Sequence, residues 1–369
     1  MQEKNKMNKF MYLDAAASML KSDAVINAQT DFLCNHYANA GRGVCARSTY
    51  VDNMLTDVRH RVAEFMNSNL ENIVFTSGTT DAMNRIAHIL NLQPDVIVAV
   101  SDLDHHSARV PFEMSGSKVV VCPLDDNLNI DIDSIPFADV FVITAMSNVL
   151  GVAQNVTEIV RVAHQKNPNV ITIVDAAQYV VHDKIDVKKW NADFVVWSGH
   201  KIGSDTGVGV MYIKNPNRFR PDKFGGGMVN TVAQDGSISF VNPPESFEAG
   251  TLPLTQIFGL GFAIDEIEKN RPDLGLIKYL YDEMKKINRV KIISSRDAAM
   301  LSFVVDDMHV LDFGMMLGAH NVCVRVGNMC ASWIHKKLKL DGTVRVSIGA
   351  YNTRNEVKKF INIVQGIIK

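Results

Sequence analysis

DFVVWSGHKIGSDTGVGVMYIK, Asp193 to Lys214, is the stretch on which the reading of the chain turns. Phe194 to Trp197 is an apolar run of strand length, and Val208 to Ile213 is a second one after a Gly-rich turn. The first run delivers Ser198, Gly199, His200 and Lys201 at its carboxyl end. A lysine at a strand mouth can be kept partly desolvated, and its amine can then form a Schiff base with an aldehyde. The other reading is a surface lysine after a hairpin strand, and a four-residue motif alone does not separate the two.

Composition narrows the classes. A chain of 369 residues with 47% hydrophobic residues is long enough for a large core and for two domains. A formal net charge of -2 leaves no basic footprint for nucleic acid and no polybasic patch for an anionic membrane. Cys34, Cys45, Cys122, Cys323 and Cys330 are too scattered for a disulfide framework and show no CxxC metal spacing, so no metal site is expected and a reducing cytoplasm is. The N-terminus lacks the apolar stretch of a signal peptide, and no run reaches transmembrane length.

Working outward from Asp193, short apolar runs recur at Val96 to Val100, Val119 to Cys122, Val140 to Thr144 and Val170 to Val174, several separated by helical patterns such as Thr157 to Gln165. That alternation predicts a mostly parallel sheet covered by helices on both faces, an α/β fold. Ligands in such sheets bind at the carboxyl ends of the strands. The residues there are Asp102, Asp104, His105 and His106; Ser147 and Asn148; Asp175 and Gln178; and Ser198, His200 and Lys201. Upstream, Met11 to Ala17 reads as extended, Ser22 to Tyr37 as a helix, Asn39 to Ser48 as a loop with two arginines, and Asp52 to Met66 as a one-sided helix. Ile73 to Phe75 reads as a strand running into Ser77-Gly78-Thr79-Thr80 and a helix from Asp81 to Leu90. Strand, Gly with hydroxyls, then helix suits phosphate binding, although simple helix capping by Thr79 or Thr80 would use the same residues. Phe224 to Glu248 reads as loop, Thr255 to Glu268 as a connecting helix, and the chain from Pro272 as a small α+β domain ending in an amphipathic helix, Asn355 to Ile368. The expected division is 1–20, an N-terminal segment; 21–260, a large domain; and 261–369, a small domain carrying the Cys330 loop. No internal repeat or low-complexity tract is present.

Chemistry on amino acids with pyridoxal 5'-phosphate needs a Schiff-base lysine, an acid beside the pyridine nitrogen, a phosphate cradle and groups that orient the ring. Lys201, Asp175, the group Thr79, Thr80, Ser198 and His200, and His105 can fill those parts in order. The segments YLDAAAS, FTSGTTDAMN, DLDHHSARVPF, MSNVLG, VDAAQ, WSGHK, GGGM, FEAGT, VRVGNMC and VRVSIGAYNT, from about Tyr12 to Thr353, carry a resemblance. The chain resembles the fold-type I enzymes of the class V aminotransferase group, and within it the Suf-type cysteine desulfurases with their selenocysteine lyase relatives.

The resemblance implies a fold-type I pyridoxal-phosphate transferase, a homodimer, L-cysteine as substrate and a sulfur-acceptor protein as partner. By it, Lys201 is the Schiff-base lysine, Asp175 the partner of the ring nitrogen, Gln178 the donor to the ring oxygen and His105 the stacking histidine. Thr79, Thr80, Ser198 and His200 resemble phosphate ligands, and Thr251 resembles a threonine that reaches the phosphate of the neighbouring subunit. Asn148 and Arg345 match positions near the substrate, with Arg345 suited to bidentate capture of a carboxylate. Cys330 matches the cysteine that takes sulfur from the substrate as a persulfide, with alanine as the other product. It lies five residues after Arg325 and fifteen before Arg345, the spacing of the short-loop class. A thiolate is favoured by nearby positive charge, and Arg325 is a candidate source of it as well as a candidate substrate contact. The chain departs from the family where Asn328 and Met329 replace histidines, where Asp104 replaces glutamate, and in a shorter stretch at 273–321.

The alternatives are a selenocysteine lyase, a sulfinate lyase or another class V enzyme in which Cys330 is incidental, and a catalytically silent scaffold. A nicotinamide-dependent enzyme fails at the first turn, since SGTT lacks the glycine fingerprint.

Overall fold

The computed structural model describes residues 10–41 and 43–369. Residues 1–9 of the expected N-terminal segment, and Arg42 in the Asn39 to Ser48 loop, lie outside the described residues.

Seven strands form the main sheet in the order Ile73–Thr76, Gly209–Ile213, Phe194–Ser198, Ile171–Asp175, Val140–Thr144, Ile97–Ser101, Lys118–Cys122. Gly209–Ile213 runs antiparallel to both of its neighbours, while the remaining pairings are parallel. The continuous apolar runs follow from burial on both faces. Phe194 and Val196 enter the cluster with Val74, Val98, Val142 and Ile173, whereas Val195 and Trp197 enter the opposite cluster with Phe32, Val58 and Ile264. The antiparallel strand is admitted at a tight point. A Cβ on Gly209 would lie 2.6 Å from Gly78 Cα and 2.7 Å from the Trp197 carbonyl oxygen, so a side chain there would push the SGTT turn away from the sheet.

The helix predicted from Asp52 begins earlier, at Ala46, and the one predicted from Asp81 begins at Thr79. Ser22 caps a helix over Asp23–Asp31, which widens into a π turn, Phe32–His36. The Phe224 to Glu248 stretch holds a hairpin, Val229–Val232 with Ile238–Phe240, where the sequence reads as loop. Its outward residues Val232 and Ile238 are exposed, so no core alternation marked it. The helix Leu254–Lys269 packs on Ala46–Phe65 and Asp23–Asp31.

A second sheet, all antiparallel, has the order Val290–Ile292, Leu301–Val305, Thr343–Val346, Arg325–Gly327. Helix Arg354–Ile368 closes it, started by a reciprocal capping box between Thr353 and Glu356 and burying Val357, Phe360, Ile361 and Val364. Of the Met11 to Ala17 stretch only Met11–Tyr12 is strand; it pairs with Val322–Cys323, and Asp14 bridges to Ser347. Asp14, Ala16 and Ala17 are thereby carried to the seam between the two sheets. Helix Leu254–Lys269 runs across the boundary proposed at 260.

Candidate active site

At the carboxyl ends of the main strands, facing the small sheet, lies a cavity of about 710 Å³. Every candidate residue except Thr251 lines it: Thr79, Thr80, His105, Asn148, Asp175, Gln178, Ser198, His200, Lys201, Arg325, Cys330 and Arg345. Thr251 lines a separate cavity of about 580 Å³ with Gly226, Gly227 and Glu248.

Lys201 sits on a single 3₁₀ turn, Gly199–Ile202, directly after strand Phe194–Ser198. Its Nζ donates to the carbonyl oxygens of Ala16 at 2.7 Å and Ala17 at 3.1 Å. Burial, with the Arg345 charge adding to it, lowers the amine to about 8, while Asp175 and Asp14 pull it back up. The amine is therefore far easier to deprotonate than a surface lysine. Asp175 ends the neighbouring strand and accepts from Ala177 N–H at 2.9 Å; burial raises its carboxyl to about 6. Gln178 donates through Nε2 to Ala16 O at 2.8 Å, and its Oε1 is buried with no partner among the described residues.

The turn Ser77-Gly78 ends in helix Thr79–Leu90, whose N-cap is Gly78, with φ +142° and no side-chain cap. Neither threonine caps it. Instead Ser198 Oγ accepts from Thr79 N–H at 2.8 Å and lies 2.8 Å from Thr79 Oγ1. Hydroxyls of Thr79 and Ser198 thus gather at a helix N-terminus, beside exposed Thr80, an arrangement that favours an anion. His200 is lowered to about 4, first by burial and then by Lys201 and Lys21.

His105 precedes helix His106–Glu113 and its Nδ1 accepts from Ser107 N–H at 3.1 Å. Burial and the Lys201 charge lower it to about 4, so the ring is neutral at pH 7. With Nδ1 an acceptor, the proton is assigned to Nε2. Asp104 is fully buried and accepts from Ser101 N–H, Ser101 Oγ and Thr144 Oγ1, tying the His105 loop to two strands.

Arg345 is buried in the strand Thr343–Val346. It donates through Nη1 to Asn148 O at 2.7 Å and through Nη2 to Asp14 Oδ1 at 3.2 Å, and its Nε has no partner among the described residues. Half-exposed Arg325 donates to Asp14 Oδ2 at 2.6 Å. Asp14 therefore counterbalances both guanidiniums. Arg325 lines the same cavity as Cys330, and its guanidinium is paired with the buried Asp14 carboxylate. Sequence reading missed Asp14, Ala16 and Ala17. Their only signal was membership of YLDAAAS, since nothing local shows that the first strand pairs with Val322–Cys323. Cys330 is exposed at the cavity's edge; Asn148, whose Oδ1 has no partner among the described residues, donates through Nδ2 to the Met329 carbonyl at 2.9 Å. Among the described residues no group of three or more His, Cys, Asp or Glu side chains is arranged to hold a metal ion, and no helix is long and apolar enough to cross a membrane.

The model of the family "Aminotransferase class-V" matches residues 11–360. A cysteine desulfurase of Serratia proteamaculans is 30% identical over 380 residues, covering 97% of this chain and 93% of the relative. One from Enterobacter sp. strain 638 is 34% identical over 373 residues, covering 95% and 91%. Among solved structures, the apo cysteine desulfurase of Thermococcus onnurineus NA1 superposes with a TM-score of 0.93 at 31% identity, covering 98% of this chain and 95% of that one. The Escherichia coli cysteine desulfurase CsdA, in an S-sulfonic acid form, gives 0.89 at 29% identity, again covering 98% and 95%. A sheet with a lysine at the mouth of its SGHK strand, a helix N-terminus opposite it and a match that runs through both sheets lead to one conclusion: the chain belongs to the class V aminotransferase family.

Proposed function

We propose that this enzyme is a pyridoxal-phosphate-dependent cysteine desulfurase, converting L-cysteine to L-alanine and leaving the sulfur as a persulfide on Cys330. The observation that carries the reading is one cavity lined by an amine lowered to about 8, a buried carboxyl on the adjacent strand, a buried arginine and a cysteine at the edge. The relatives named cysteine desulfurase support it.

The residues fit the cofactor. Gln178 Oε1 and Arg345 Nε are buried polar atoms without partners among the described residues, and the Gly78 turn leaves helix Thr79–Leu90 without an N-cap side chain of its own. Thr79, Thr80, Ser198 and His200 would hold the phosphate, Asp175 would face the pyridine nitrogen, and Lys201 would hold the aldehyde carbon. Pyridoxal phosphate, when bound, supplies electron withdrawal from the substrate carbon. Gln178 Nε2 gives one N–H to Ala16 O, and its second N–H would donate to the ring oxygen.

Arg345 would take the substrate carboxylate, with Asn148 and Arg325 beside it. Lys201, ready to give up its proton near neutrality, moves a proton at the substrate carbon, and neutral His105 holds one at Nε2. Cys330 Sγ attacks the substrate sulfur: an S–S bond forms, the C–S bond breaks, and the electron pair stays on carbon, which takes a proton to become alanine. The Cys330 proton goes to solvent or a cavity base, so the step needs no external oxidant.

The enzyme is proposed to act as a homodimer, with Thr251 serving the neighbouring subunit's phosphate; its place in a second cavity, away from this chain's own Lys201, supports that. A cytoplasmic location and a protein sulfur acceptor complete the proposal, and all five cysteines are free. The test is alanine release and enzyme-bound persulfide from L-cysteine, in wild type and Cys330→Ala, after the visible cofactor spectrum is recorded. Both products from the wild type and neither from a spectrally normal variant support the reading. Full alanine formation by Cys330→Ala sinks it.

A further inference from the structure

Resting on the desulfurase reading, we propose that His106, beside the cavity histidine but outside the cavity, is a positioning residue that holds the Cys330 loop at its working height.

The loop needs holding. Met329 and Cys330 both have left-handed backbones, φ +51° and +54°, and Ala331 N–H donates to Asn328 O at 2.9 Å. That is the φ pattern and closing bond of a type I′ turn, whose two central positions favour Gly, Asn or Asp. Side chains at both positions are disfavoured, so such a turn persists only where its surroundings over-determine it.

Two grips do so. From one side Asn148 Nδ2 donates to the Met329 carbonyl. From the other, His106 takes hold of the chain before and after Ala331. Its backbone N–H donates to Cys330 O at 2.7 Å, while its ring Nε2 accepts from Ser332 N–H at 3.3 Å and lies 3.1 Å from Ser332 Oγ. The ring is wedged edge-on against Trp333, 5.1 Å between centroids at 84°, and the Arg109 guanidinium covers the Trp333 ring at 4.2 Å. Arg109 is in turn held by Glu113 at 2.6 Å and Asp102 at 3.6 Å. Helix His106–Glu113 and helix Ser332–Lys337 are therefore locked together across the strained turn.

The consequence is geometric coupling. His105 faces the cavity and the next residue sets where Cys330 stands, so one dipeptide fixes the cysteine relative to the ring that borders the substrate. Departure of either grip lets the turn relax toward right-handed backbone angles and swings the Cys330 side chain.

The experiment uses the cofactor-loaded enzyme and measures KM for L-cysteine, together with rapid-quench persulfide formation on Cys330 at saturating cysteine. His106→Ala is expected to slow persulfide formation about tenfold, the weight of one to two net hydrogen bonds, with KM within about twofold and an unchanged cofactor spectrum. His106→Gln, which can again offer an acceptor to Ser332 N–H, recovers most of the rate. Ser332→Ala, which removes the hydroxyl and keeps the N–H bond to the ring, slows it about threefold, and the double variant is no slower than His106→Ala because the hydroxyl acts only through that ring. A wild-type rate in His106→Ala, a loss confined to KM, or multiplying effects in the double variant overturns the inference. Should His106→Ala fail to fold, an unchanged rate in Ser332→Ala overturns it alone. A wild type inert to cysteine sinks the desulfurase reading itself, and the positioning role falls with it.

Discussion

Replacing Asp14 by Asn removes one negative charge from a place where two arginines meet. Asp14 is 5% exposed and Arg345 2%, so this half of the contact lies in protein interior, whereas Arg325 is half in water. Breaking a buried ion pair by neutralising one partner costs roughly 3–5 kcal/mol, because the surviving charge is left uncompensated. Arg345 keeps its bond to Asn148 O and the Asn amide oxygen can still accept, which points to the low end, about 3 kcal/mol. The exposed Arg325 contact adds no more than about 1 kcal/mol. At about 2 cal/mol/K per residue, unfolding 369 residues carries an entropy of roughly 0.8 kcal/mol/K, so the midpoint should fall by about 4 °C. Thermal unfolding of the cofactor-free protein, followed by circular dichroism, reads this directly. Adding L-alanine should stabilise the variant more than the wild type, since a carboxylate ligand can supply the lost counter-charge. A variant melting within about 1 °C of the wild type would refute the argument that Asp14 is the anion Arg345 depends on. Equal stabilisation of both proteins by alanine would refute the argument that a ligand carboxylate supplies the counter-charge that Asp14 gives Arg345.

Lys201→Met removes a buried ammonium. The folded pKa of about 8 lies below the free value, so the penalty is fully present below pH 8, fades as pH rises and is gone above the free value of 10.5; the cofactor-free variant should gain up to about 3 kcal/mol at pH 7 relative to pH 10.5. Urea midpoints for both proteins between pH 7.5 and 9.5 should converge, and parallel curves would count against the shift. Ser198→Ala strands the Thr79 backbone N–H and should lower pyridoxal-phosphate affinity about tenfold in a spectroscopic titration; unchanged affinity would remove Ser198 from the cradle. Glu248→Gln breaks a buried pair in which both carboxylate oxygens meet Arg59 at 2.8 Å and one also accepts from Phe75 N–H. It should cost about 3–5 kcal/mol by urea unfolding, and a loss below about 1 kcal/mol would refute the burial argument.

What could be read from the chain divides along a physical line. Residues whose role is set by local order were legible: the run Phe194 to Trp197 is apolar throughout because both faces of its strand are buried, and Lys201 follows because the strand ends there. The SGTT turn was legible for the same reason, with Gly78 forced by its left-handed angle and by the approach of Gly209. The exposed hairpin around Ile238 was not, since a strand that buries neither face has no periodic signature. Nor was the long-range half of the site. Asp14 meets Arg345 across 331 positions of sequence, and nothing near either residue marks the meeting.

That long-range half has a common origin. Met11–Tyr12 pairs with Val322–Cys323, and from this one pairing Asp14 comes to lie between Arg325 and Arg345 while Ala16 and Ala17 turn their carbonyls to Lys201. The Lys201 amine and the Arg345 guanidinium are thus referred to the same seven residues of backbone, although they belong to different sheets. Burial is the main cause of the lowered Lys201 pKa, Arg345 lowers it further, and Asp175 and then Asp14 raise it, so the carboxylate on the short N-terminal strand's extension contributes to how readily the lysine gives up its proton. Asp14→Asn should therefore do more than destabilise: with one of the two raising carboxylates gone and Asp175 remaining, the Lys201 amine should titrate below about 8, and the pH at which a cofactor-free protein first reacts with added pyridoxal phosphate should move down with it. An unmoved titration alongside the expected loss of stability would separate the two roles, leaving Asp14 as the brace of Arg345 alone.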